Sequence, residues 1–182
     1  SWHNHAPYLD VLAERVRGTD AHVVFTAHSL PERILALGEP YRDQLLETSR
    51  LIAERAGLER WSFAFQSESP TGEPWLGPDI LDELKRLKEH DVRSVLVAPI
   101  GFVADHLEIL WDLDIEARDL AIELGLRLER TPSLNDDPDF IRALGKEGGD
   151  SRIWAGIHYQ MDNVAGVDLG KSVAQVFIDW AE

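Results

Sequence analysis

Cysteine is absent from this 182-residue chain, which excludes an internal disulfide, a thiolate zinc site and a cysteine-held iron-sulfur cluster. Also missing is any apolar run near the roughly 20 residues that a membrane-spanning helix needs, so no transmembrane segment is expected. The opening residues, SWHNHAPYLD, lack the basic and apolar regions of a secretory signal. Basic side chains are few: 18 Lys and Arg stand against 33 Asp and Glu, a formal charge of -15. Such a surface repels phosphate backbones and anionic membranes and attracts cations, so no nucleic-acid partner is expected. A cytoplasmic location fits these absences.

What is present points to a globular core. Hydrophobic residues make up 44% of the chain and Trp occurs six times, enough for one domain of ordinary size or a domain with an appendage. Short runs rich in Val, Ile and Phe read as strands: AHVVFTA (21-27), SFAFQ (62-66), SVLVAPI (94-100) and, more weakly, LRLER (126-130). Stretches of helical period lie between them at 41-57, 79-91 and 106-125. The alternation predicts an α/β fold, an open parallel sheet flanked by helices. GKEGGDS, with three glycines, reads as a Gly-rich linker centred on 146-150. It would separate an α/β domain, 1-145, from a short helical C-terminal tail, 151-182, in which VAGVDLGKSVAQVFIDWAE is an amphipathic helix.

In open α/β sheets the binding crevice lies outside the carboxyl ends of the strands. The three loops there are HSLPERI, SESPTGEPWLGPD and GFVADHLE, and they concentrate Gly, Pro, His, Trp and acid. Ser29-Leu30-Pro31-Glu32 has the form of a capping box, with Gly38 closing a short helix, which would fix His28 between strand end and helix start. A histidine so held is either a partly buried residue bonded to a carbonyl or a proton acceptor and metal ligand. Trp75, beside Pro74 in a loop stiffened by prolines, is either a plug over the sheet edge or a wall for a flat apolar ligand.

DHLEILWDLDIEA carries the most unusual charge pattern. Asp105 and Glu108 fit an N-terminal D-x-x-E cap. Glu108, Asp112 and Glu116 fall at i, i+4 and i+8, one turn apart in an α-helix, where like charges oppose one another by about 0.2-0.5 kcal/mol per pair. Capping does not account for Asp112 and Glu116. As a column they suit a hydrated divalent cation, and Glu108 can face His28 across one crevice because both follow strands. His106, within the same motif, reads as a packing and hydrogen-bonding residue.

Together VVFTAHSLPERI, GEPYRDQLLETSRLIAERAGL, FAFQSESPTGEPWLGPD, VLVAPIGFVADHLEILWDLDIEA and PDFIRAL resemble, in order, the C-terminal domain of the ferrochelatases. That family inserts ferrous iron into a porphyrin in haem biosynthesis, between two similar α/β domains. The resemblance implies porphyrin (protoporphyrin or coproporphyrin) and ferrous iron as substrates, with the N-terminal half-domain as a partner this chain lacks. It implies that His28 and Glu108 are catalytic and metal-handling, that Asp112 and Glu116 form a path for metal or protons, and that Trp75 and Pro74 belong to the porphyrin loop. Gly72 stands where one version of the loop has proline. The runner-up reading is a non-catalytic metal or porphyrin binding module.

The tail resembles a second group. SRIWAGIHYQMDN fits S-R-x5-H-x3-D, the third signature of the type 2 acid phosphatases and vanadium haloperoxidases. That resemblance implies oxyanion binding by Arg152, a nucleophile or vanadium ligand in His158, and orientation of His158 by Asp162. The two other signatures of that group do not occur, so the tail reads as a remnant, a fusion or a join rather than a working oxyanion site.

Overall fold

The computed structural model describes residues 2-154 and 160-181. The chain divides into two units at Asp137 and Pro138. In the first, a 3-10 turn (Trp2–Asn4) leads into α1 (Ala6–Val16), β1 (His22–His28), α2 (Arg33–Ala36), α3 (Tyr41–Ala56), β2 (Trp61–Gln66), α4 (Ile80–Glu89) and β3 (Ser94–Pro99). One long helix follows, made of α5 (Leu107–Trp111), a π-helical segment (Asp112–Ala117) and α6 (Arg118–Leu124), and then β4 (Arg127–Arg130). The four strands form one parallel sheet in the order β2-β1-β3-β4. This is the expected α/β architecture.

Strand alternation builds a core on each face of the sheet. Val24, Ala64, Val95 and Val97 point to one side, where Ile80, Leu84 and Leu87 of α4 and Ile109, Leu113, Ala117 and Ala121 of the long helix close over them. Val23, Phe25 and Ala27 are fully buried and alternate to the other side. There α1 packs on α3; α1 buries Leu9, Leu12, Ala13 and Val16 at helical spacing, and α3 buries Ile52, Ala53 and Ala56. Gly57 and Gly125, both in the left-handed region, end α3 and the long helix. No helix among the described residues is long and apolar enough to cross a membrane.

Two local expectations are corrected. Ser29 caps no helix: its hydroxyl donates to the Leu76 carbonyl at 2.8 Å, and α2 starts only at Arg33, with Glu32 as N-cap. Residues 30-32 pair instead with the Trp loop, through Glu32 N to Pro74 O and Leu76 N to Leu30 O, both 2.9 Å. Nor is Asp105 the cap of α5. His106 holds that position, and the Asp105 carboxylate turns to Arg130, Ser133 and Asn135. In both cases a tertiary partner outcompetes the local backbone amide.

The second unit holds α7 (Pro138–Trp154) and α8 (Gln160–Ala181). The Gly-rich stretch 146-150 is therefore no linker but the middle of α7. Its glycines cost about 1 kcal/mol each against alanine in a helix interior. Pro138 at the first position, Asp139 in the first turn and the Lys146–Asp150 ion pair at i,i+4 work against that cost. The division falls eight residues earlier than a 145/146 boundary, where unit 1 ends at Asp137. The described parts of the tail, 151-154 and 160-181, are helical as expected, and α8 exposes Val164, Val167, Leu169, Val173 and Val176. Arg152 belongs to α7 and Asp162 to α8, while His158 lies outside the described residues.

Candidate active site

The chain leaves β1 toward β2 and then crosses to β3 on the far side of β1. At such a reversal the connections diverge and a crevice opens at the carboxyl ends of the strands. His28 closes β1, and the 101-106 loop follows β3 beside it.

His28 is fixed from several directions. Its carbonyl accepts from the Tyr41 hydroxyl at 2.9 Å, and its Nδ1 donates to the Ser29 carbonyl. A carbonyl only accepts, so Nδ1 carries the proton and Nε2 is left to face the crevice. Nε2 lies 3.7 Å from Glu108 Oε2, too far for a direct hydrogen bond and close enough to share a proton, a water or an ion. Trp75 and Phe102 flank the imidazole, with ring centroids 6.5 and 6.3 Å away. Trp75 is itself steadied by its Nε1–H donating to Thr71 Oγ1 at 2.9 Å. Pro74, exposed, contributes its carbonyl to the pairing of the two loops.

The second carboxylate is anchored separately. The Asp112 carboxylate accepts from the Ser67 hydroxyl and, at 3.5 Å, from Gln66 Nε2, so the end of β2 holds the long helix at this point. Asp112 and Glu116 line one pocket together with Ser67, Glu68, Asp79, Ile80 and Leu81. Because Asp112 to Ala117 is π-helical, with i to i+5 closure, Glu116 stops short of a full turn above Asp112. The column expected from an α-helix does not open onto one space: Glu108 meets His28, whereas Asp112 and Glu116 open onto the neighbouring pocket. Among the described residues no three His, Asp or Glu side chains converge as a ready coordination sphere.

Five participants were not apparent from spacing. His106 packs against Phe102, with ring centroids 4.8 Å apart, as a packing and hydrogen-bonding residue would, and in addition its Nε2 sits 3.4 Å from Glu108 Oε2, which makes it a neighbour of the pair. Phe102, Tyr41, Ser67 and Asp79 complete the set. A Phe after strand 3 and a Ser after strand 2 were the available signals, and neither residue type is distinctive there. Asp79 caps α4, its Oδ1 accepting from Leu81 N at 2.8 Å. Burial pushes its carboxyl above the ordinary 3.8 against the lowering effect of the bond from Leu81, with smaller upward pressure from Asp82, Glu68 and Asp112.

Asparagine caps a helix as well as aspartate does, so Asp79→Asn should raise the melting temperature at pH 7. Asp79→Ala, which loses the cap, should destabilise by about 1 kcal/mol. With a folded pKa above 3.8, the penalty on charged Asp79 is full at neutral pH and disappears as pH falls below 3.8. The advantage of the asparagine variant should vanish over the same range in thermal melts. An asparagine variant no more stable than the parent at pH 7 would refute this account of the pocket.

The family model described as Ferrochelatase matches residues 1-147. A second, the VCPO second helical-bundle domain, matches residues 113-182 and overlaps the first over 113-147. Within that overlap β4 (Arg127–Arg130) lies in the parallel sheet of the first unit. Similar proteins include a Ferrochelatase of Herpetosiphon aurantiacus, 47% identical over 154 residues, covering 79% of this chain and 50% of that protein. Another is a Ferrochelatase of Deinococcus radiodurans, 47% identical over 156 residues and covering 79% and 49%. A Coproporphyrin III ferrochelatase of a Geobacillus species is 42% identical over 155 residues and covers 79% and 50%. The chain spans about half the length of these relatives.

Proposed function

This chain belongs to the ferrochelatase family, and on that premise we propose that it is the C-terminal, metal-side half of an enzyme that inserts ferrous iron into a porphyrin in the cytoplasm. The observation that carries the reading is the His28 and Glu108 pair, 3.7 Å apart, with the Trp75 and Phe102 rings near the imidazole at the sheet's switch point. Metallation exchanges two pyrrole N–H protons for one divalent ion, so charge is balanced only if protons leave as iron enters. His28 Nε2 has a free lone pair once Nδ1 is committed to Ser29, and it can accept a proton from the ring nitrogens. Glu108 can take that proton or hold the incoming ion, and Asp112 and Glu116 continue the acidic route away from the ring. Trp75, Phe102 and Pro74 suit a flat apolar macrocycle. Ferrous iron and a porphyrin, protoporphyrin or coproporphyrin, are the substrates. The family's N-terminal half-domain would close the other side of the cleft.

The test mixes the chain with zinc or ferrous ion and each porphyrin and follows metalloporphyrin absorbance, which should appear. A second reading, a module that binds metal or porphyrin without turnover, rests on the same His28 and Glu108 pair and its aromatic neighbours, which can bind without catalysing. It predicts titratable binding of both without the metallated product. Binding of neither would overturn both readings.

A further inference from the structure

The segment 105-116 carries five carboxylates, and the fold sorts them into two sets. Glu108 faces His28 in the crevice, and Asp112 and Glu116 face the pocket beside it. Asp105 and Asp114 are both taken by one side chain, Arg130, at the carboxyl end of β4. Its Nε and Nη2 form a bidentate pair with the two Asp114 oxygens at 2.8 and 2.9 Å, and its Nη1 reaches Asp105 Oδ1 at 3.0 Å. The guanidinium side chain is only 14% exposed, and its pairing with Asp114 raises its pKa despite burial. Asp105 is gripped further by Asn135 Nδ2 at 3.0 Å and by the Ser133 hydroxyl at 2.8 Å, which together with Arg130 hold its carboxyl below the ordinary range despite burial.

These attachments bracket the reactive stretch. Asp105 lies three residues before Glu108, and Asp114 lies inside the π-helical segment, two residues after Asp112. With the loop held at Asp105, just before the N-cap His106, and the helix itself held at Asp114, both from the end of β4, the helix is restrained from rolling about its axis and from sliding along it. We infer that Arg130 is a positioning residue: by clamping Asp105 and Asp114 to β4 it sets the rotation of the acidic helix, keeping Glu108 turned toward His28 and withholding the two other carboxylates from the metal. A guanidinium suits this because its planar fork satisfies Asp114 with two parallel bonds while a third N–H is free for Asp105. The inference rests on the metal-handling reading of the crevice.

The experiment titrates zinc into the full chain by calorimetry for the parent, Arg130→Met, Arg130→Lys, Glu108→Gln and the Arg130→Met/Glu108→Gln double variant. Folding is checked by circular dichroism. Arg130→Met should weaken zinc binding by about tenfold or more, and Arg130→Lys should recover part of that loss. If Arg130 acts through Glu108, adding Arg130→Met to Glu108→Gln changes affinity little further. A folded Arg130→Met variant that binds zinc like the parent, or losses that simply multiply in the double variant, would overturn the inference. If the parent binds no zinc, the metal reading fails separately. The clamp is then judged by hydrogen exchange: faster exchange at 106-116 in Arg130→Met upholds it, and unchanged protection overturns it.

Discussion

Glu108→Gln should slow porphyrin metallation by about 10²- to 10⁴-fold, the range that a positioned acid-base group supplies. The side chain is 53% exposed and, among the described residues, its ion-pair partners are His28 and His106, so its amide isostere should leave the melting temperature close to that of the parent. His28→Ala should cost a similar factor, because it removes the one lone pair that the Ser29 bond directs into the crevice. Since the two groups face each other and serve one transfer, the double variant should lose little more than either single change. Stopped-flow absorbance with zinc and porphyrin reads all three rates. Zinc affinity, read by calorimetry, should fall in Glu108→Gln even where turnover is slow. Metallation by both single variants at the parental rate would remove the pair from the mechanism.

The aspartate and glutamate of the 105-116 stretch also mark how far sequence reasoning reaches. Four strands and three of the helices follow from the period of apolar residues, because burial on a sheet face or a helix stripe imposes that period directly. His28 and Glu108 emerge from their position after strands. The π-helical segment leaves no signature in DLDIEA, and the opening of the acidic column onto two spaces was not apparent. The fate of Asp105 was hidden for a different reason. A D-x-x-E pattern competes for a backbone amide locally, but Arg130 and Asn135, 25 and 30 residues later, offer charged and bidentate partners that no local pattern discloses. Helix α7 through GKEGGDS shows the same limit: three glycines predict a break, yet the stretch continues as helix between Pro138 and Trp154.

Gly101 carries the other large expected effect, on the architecture that aligns the pair. Its amide donates to the Thr26 carbonyl at 3.0 Å, drawing the end of β3 against β1. A Cβ built there would stand 2.7 Å from the Ala27 Cα and closer still to the Ala27 Cβ. Both obstacles are rigid: one is backbone, and the other is a fully buried methyl at the residue before His28. Gly101→Ala must therefore push β1 and β3 apart at the point where the crevice begins. Overpacking of this kind costs about 1-3 kcal/mol, and the displacement falls on His28 and, through Phe102, on the aromatic wall. Gly101→Ala should lower the melting temperature by several degrees and also weaken zinc binding, a combination that Glu108→Gln should not produce. Ala27→Gly in the same chain removes the nearer methyl but leaves the Cα in place, so it should restore only part of both losses. Full tolerance of Gly101→Ala in melting and zinc titration would mean that the two strand ends can separate without cost, and that the site does not depend on their close approach.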